Sequence, residues 1–140
     1  MALIVDTGPL FAALHADDRD HARCAALFDT ADAVVVPVPV LVETEWLVTS
    51  RLGARAFEPI YDDVATGALQ PLDLTGALWT RVRELCARYA DLPLGLVDAS
   101  VVAGAEALGE PAVATLDHRH FTVVRPRHVK ALRLLPEGAG

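Results

Sequence analysis

The segment Ala33-Val34-Val35-Val36-Pro37 constrains this chain more than any other. It is apolar without alternation, β-branched through its middle and stopped by a proline. That is the mark of a strand buried on both faces of a parallel sheet. Parallel strands need long crossovers, usually helices, and the flanking sequence reads that way. A strand is expected over residues 2–5. Gly8-Pro9 breaks it, and Pro9 suits the first turn of a helix to about residue 14. A second helix is expected from a cap at Asp17 or Asp18 to about Phe28. After the 33–36 strand comes a helix over about 40–51, with Gly53 just past its end. Residues 54–66 read as helical, with Pro59 kinking or splitting them, and 69–72 as a strand. A strong helix starts at Thr75 or Gly76 and runs to Tyr89, with Leu78, Trp79, Val82, Leu85, Cys86 and Tyr89 on its apolar side. Another covers 96–108 and is stopped by Gly109. A strand over 111–115, a tight turn over 118–121 and a last strand over 131–135 complete the pattern, with frayed ends at 138–140. The expectation is an α/β fold with a central parallel sheet flanked by helices, as one domain over residues 1–140.

The length of 140 residues and the 53% hydrophobic content suffice for a core without disulfide staples. The longest apolar stretch, residues 33–42, is too short to span a bilayer and contains Pro37 and Pro39. No basic region precedes an apolar one at the N-terminus, so no signal peptide is expected. Cys24 and Cys86 lie far apart and read as reduced thiols. A soluble, cytoplasmic protein is expected. The net charge of −7 argues against a DNA-coating role, but it is uneven. Residues 117–140 hold five Arg/Lys against two Asp/Glu, whereas residues 1–116 hold seven against seventeen. An acidic body beside a basic tail suits a metal pocket next to a phosphate-contacting patch, or simply a solvated surface.

Asp6, Glu43, Asp98 and Asp117 each stand at or just after an apolar run: Leu3-Ile4-Val5, Val40-Leu41-Val42, Leu96-Val97 and Val113-Ala114-Thr115-Leu116. In a parallel sheet the binding crevice lies outside the carboxyl ends of the strands. Asp6 and Asp117 follow strands; Glu43 and Asp98 fall near the first turns of helices that could point at the same crevice. Each carboxylate alone has an ordinary reading as a helix cap, a turn residue or a solvated helix position. Gathered together, they would repel one another by a few kcal/mol per pair at an effective dielectric of about 20. A cation relieves that. Hard oxygen donors without Cys or clustered His favour Mg²⁺ or Mn²⁺ over Zn²⁺, and the natural reaction is hydrolysis of a nucleic-acid backbone. Thr7 and Thr115 are hydroxyls that could hold a metal-bound water or a phosphate, or merely satisfy local backbone. His118 and His120 would share a side if extended, but no third zinc ligand is evident; Arg119 and His120 better suit a phosphate. Trp46 and Trp79 read as core or interface residues.

At Ile4-Val5-Asp6-Thr7-Gly8-Pro9-Leu10, Val42-Glu43, Gly95-Leu96-Val97-Asp98-Ala99 and Thr115-Leu116-Asp117-His118-Arg119-His120-Phe121 the chain resembles the PIN-domain family. Within it, the resemblance is to the VapC-type toxin ribonucleases of bacterial toxin–antitoxin pairs. It implies a three-layer α/β/α sandwich. It implies Mg²⁺ or Mn²⁺ held by Asp6 and Asp98, directly or through water, with Glu43 and Asp117 completing the pocket and Thr115 orienting water or substrate. It further implies cleavage of RNA, a homodimer and a small cognate antitoxin protein that blocks the pocket. Glu45 sits beside Glu43 and leaves the choice between them open, with Glu43 preferred. The alternative is a PIN-like module that binds RNA or a partner without cutting. Asp6-Thr7-Gly8 also looks like the aspartic-protease triplet, but those folds are all-β, against the helical periodicity of residues 75–108.

Overall fold

Strand β1 (Ala2–Val5) sits at the centre of the molecule because Leu3, Ile4 and Val5 expose nothing to solvent. The computed structural model describes residues 2–138. Ala139 and Gly140, where fraying was expected, lie outside them. From β1 the chain runs through α1 (Thr7–Leu14) and α2 (His21–Thr30) to β2 (Ala33–Pro37). It continues through α3 (Val38–Leu52), a 3₁₀ turn (Ala54–Phe57) and α4 (Glu58–Thr66) to β3 (Gln70–Leu72). Two helices, α5 (Gly76–Arg88) and α6 (Leu96–Leu108), lead to β4 (Ala112–Ala114), and α7 (His118–Val123) leads to β5 (Arg133–Leu135).

The five strands pair in the order β3-β2-β1-β4-β5, all parallel. The chain steps outward from β1 to β3, then returns to the other side of β1 for β4 and β5. Right-handed crossovers put α1 and α2 on one face and α5 and α6 on the other, which makes an α/β/α sandwich, with α3 packed against both α1 and α6. α1 packs on α2 and α3, and α5 on α6. Both faces of β1, β2 and β4 are covered, which is why these strands lack alternation. Helix α6 can lie close on the sheet because it is built of Ala, Val and Gly. A Cβ on Gly104 would come within 2.9 Å of Leu72 Cδ2. Gly109 closes α6 in the left-handed conformation, φ 66°, as a C-terminal glycine should.

Some expectations are corrected. Neither Asp17 nor Asp18 caps α2. Asp18 Oδ1 accepts the Asp20 N–H at 2.8 Å and Asp18 O accepts the His21 N–H at 3.0 Å, so Asp18 is spent in a turn and the helix starts after Asp20. Residues 118–121 are not a tight turn but the start of α7. Trp79 lies off the buried side of α5 and is 50% exposed. Pro59 does split residues 54–66: it stands in the first turn of α4, after the 3₁₀ turn ends at Phe57. Cys24 and Cys86 are free thiols. Among the described residues, no helix is long and apolar enough to cross a membrane.

Candidate active site

In this sheet the strand order reverses between β1 and β4, and a crevice opens at such a point outside the carboxyl ends of the strands. Asp6 is the first residue after β1, and Thr115 the first after β4. The Asp6 N–H donates to Ala114 O at 2.9 Å, so the two strand ends are tied together. Asp6 stands where a helix cap would, yet its side chain makes no capping bond to α1. Instead its Oδ2 accepts the Thr115 hydroxyl at 2.9 Å. Thr115 Oγ1 in turn accepts the Asp117 N–H at 3.0 Å. Thr115 thus orients Asp6 itself and anchors Asp117.

Asp98 enters from α6. Gly95 is the cap of that helix and Asp98 lies in its first turn, where a negative charge is favoured. His120, on α7, places Nδ1 3.1 Å from Asp98 Oδ2 and 3.3 Å from Asp117 Oδ2. Glu43 is exposed on α3 and presses on Asp6 and Asp98 through space. Glu45 is diverted: its Oε1 accepts the Thr49 hydroxyl at 2.9 Å. The electrostatics of the pocket follow. Burial pushes the Asp6 carboxyl up to about 6. The charges of Asp98 and Glu43 add to this, while the neighbouring Thr7 backbone N–H and the Thr115 hydroxyl oppose it. Asp98 is also raised, first by burial and then by Asp117 and Glu43, against the stabilising contact with His120.

Asp98 and Asp117 thus meet at His120, and the charges of Asp98 and Glu43 bear on Asp6. The donor chemistry fits a divalent cation. The oxygens are hard, the charges are poorly compensated, and the buried Thr7 hydroxyl beside Asp6 has no hydrogen-bond partner among the described residues. His120, expected to approach a phosphate, turns into the acidic pocket, with Nδ1 on Asp98 and Asp117. Its signal was the three-residue spacing from Asp117, which reads correctly only if residues 118–123 are helical. On that helix His118 and His120 do not share a face, so the extended zinc pair does not form. The basic tail is partly spent on the fold, since Arg127 Nη2 donates to Glu84 at 2.7 Å and Arg133 pairs with Glu137 at 3.5 Å. Trp46 and Trp79 are exposed rather than in the core. Together with Glu43 they line a groove of about 610 Å³.

The PIN domain family matches residues 3–125. The chain is 33% identical over 125 residues to Ribonuclease VapC26 of Mycobacterium tuberculosis, covering 89% of this chain and 93% of that protein. The chain belongs to the PIN-domain family. Its fold is similar to the crystal structure of VapC20 from the same organism, a sarcin-ricin-loop-cleaving toxin, with a TM-score of 0.79 and 22% identity over 91% of this chain and 98% of that one. It is also similar to VapBC2 of Rickettsia felis, solved on a DNA fragment from its promoter, with a TM-score of 0.69 and 14% identity over 96% and 98%.

Proposed function

We propose that this chain is a divalent-metal-dependent endoribonuclease that hydrolyses RNA phosphodiester bonds, acting as one nuclease domain and as the toxin of a toxin–antitoxin pair. The observation that carries this is the Thr115–Asp6 contact at the strand-order reversal, with Asp98 and Glu43 pressing on the same carboxylate. A buried acid with two acidic neighbours is costly to maintain unless a cation is its working partner. Asp6 and Asp98 would hold Mg²⁺ or Mn²⁺, directly or through water, with Glu43 and Asp117 completing the charge. Such a cation polarises the phosphodiester and lowers the pKa of a bound water. The chain's own contribution is placement. Thr115 fixes the rotamer of Asp6, the first turn of α6 presents Asp98, and Glu43 supplies negative charge at the open rim.

The kinship with VapC26 supports RNA as substrate. The likeness to VapBC2 supports a small protein antitoxin as partner. A homodimer and a cytoplasmic location belong to the same reading. The test is to incubate the purified chain with total RNA, with and without Mn²⁺. New RNA ends that appear only with the cation support it. Intact RNA that nevertheless shifts on a native gel would favour a module that binds without cutting.

A further inference from the structure

One side chain in the pocket is neither a carboxylate nor a hydroxyl. His120 is largely buried, its side chain 15% exposed, and it points Nδ1 between Asp98 Oδ2 and Asp117 Oδ2. Among the described residues these three form the one group of metal-type donors whose ligand atoms all lie within 4.8 Å of one another. Asp6 Oδ2 takes the Thr115 hydroxyl, which leaves Asp6 its other oxygen, or a bound water, with which to meet the same cation beside Asp98.

The two separations that involve His120 are those of neighbouring ligands on one ion. Donors about 2.1 Å from an octahedral cation stand about 3.0 Å apart in adjacent positions. At the shorter bonds of a tetrahedral site they stand about 3.3 Å apart. The observed Nδ1 to oxygen distances, 3.1 Å and 3.3 Å, fall at these values. In the tautomer with its proton on Nε2, Nδ1 offers a lone pair in the right place. Helix α7 is what makes this possible, since residues three apart share a face and the Thr115 hydroxyl anchors the Asp117 end.

We propose that His120 Nδ1 is a nitrogen ligand, alongside the carboxylates of Asp98 and Asp117, for the divalent cation of this pocket. It turns the preference of the pocket away from Mg²⁺ and toward Mn²⁺ and other first-row cations that accept imidazole. Mg²⁺ prefers oxygen ligands and gives up its waters reluctantly, whereas imidazole suits the later metals. The inference rests on reading the pocket as a metal nuclease, but it concerns this chain's donor set and needs no RNA to test.

A histidine that only hydrogen-bonded the two carboxylates would also change metal affinity, by 10–100-fold when a supporting contact is lost. Affinity alone therefore does not separate ligand from support. Pulsed electron paramagnetic resonance on the Mn²⁺-loaded protein does, because it reads a nitrogen nucleus bound to the metal. The parent should show a ¹⁴N coupling that His120→Asn lacks. Calorimetry with Mn²⁺ and Mg²⁺ should show the Mn²⁺ to Mg²⁺ affinity ratio falling on the order of tenfold in the variant. If His120→Asn does not fold, ¹⁵N-histidine labelling of the parent decides between ligand and support, since a bound imidazole must then show ¹⁵N in place of ¹⁴N coupling. Bound Mn²⁺ without nitrogen coupling, or coupling that survives in His120→Asn, overturns the inference and leaves the nuclease reading standing. No binding of Mn²⁺ at all overturns both.

Discussion

Thr115 Oγ1 donates to Asp6 Oδ2 and accepts the Asp117 N–H, so one hydroxyl places two of the four acids. Thr115→Val keeps the shape and removes both bonds. It should cost about 1–3 kcal/mol in denaturant unfolding, because a partly buried N–H and the buried Asp6 carboxyl each lose a partner, and should lower RNA cleavage by loosening Asp6. Cleavage at the parental rate in a folded Thr115→Val protein would deny Thr115 its role. The Asp6 carboxyl itself makes stability depend on pH. Its native value of about 6 lies above the unfolded 3.8, so the native state holds a proton that the unfolded state has already released. Without metal, the contribution of Asp6 to stability should be fully present below about pH 4, be lost as pH rises to about 6, and stay lost above it. The loss is at most about 3 kcal/mol, and Asp98 adds in the same direction. Thermal unfolding across this range checks it. Asp6→Asn should flatten the profile and make the metal-free protein more stable than the parent near neutral pH. These residues were legible in sequence as acids following apolar runs. What was not legible was that Thr115 serves Asp6, because a contact between residues 109 positions apart leaves no local pattern.

Helices α5 and α6 are joined by a forked ion pair. Arg81 Nε and Nη2 donate to Glu106 Oε1 and Oε2 at 2.7 and 2.9 Å, and Glu106 also accepts the Arg127 N–H at 2.8 Å. Burial pushes the Glu106 carboxyl up, but these donors outweigh it and hold it below the usual range. Removing one partner of such a pair strands the other, with side-chain exposures here of only 13% and 9%. Glu106→Gln should therefore destabilise the protein by about 3–5 kcal/mol. Its effect on cleavage per folded molecule should be small, because Glu106 lies about 12 Å along α6 from Asp98. A variant as stable as the parent would show the pair to be dispensable. The long helices were readable because their apolar spacing, terminal glycines and prolines all agree. Helix α7 was not. Its six residues, His118–Val123, are too few to show a period, and its first turn depends on the Asp117 N–H held by Thr115, which no local pattern announces. Reading α7 as a turn is also what conceals His120 as a member of the pocket.

For the whole molecule, sheet order matters more than any single element. The alternation of short buried strands and helices made a parallel sheet legible, but nothing in the sequence orders the strands as β3-β2-β1-β4-β5. That order puts β1 beside β4, and so puts Asp6 beside Thr115. The open choice between Glu43 and Glu45 likewise turns on tertiary structure, which favours Glu43. Glu43 reaches the pocket with its field, while Glu45 is occupied by Thr49. The central claim is that this one crevice cuts RNA with a divalent cation. Its most direct test is the cleavage rate of a single labelled RNA by the parent, Asp98→Asn and Glu45→Gln, with Mn²⁺ and with EDTA. The account predicts cleavage by the parent and Glu45→Gln with Mn²⁺, abolition by EDTA, and a loss of roughly a hundredfold or more in a folded Asp98→Asn protein. Asp98→Asn cutting as fast as the parent, or a parent indifferent to EDTA, would contradict it.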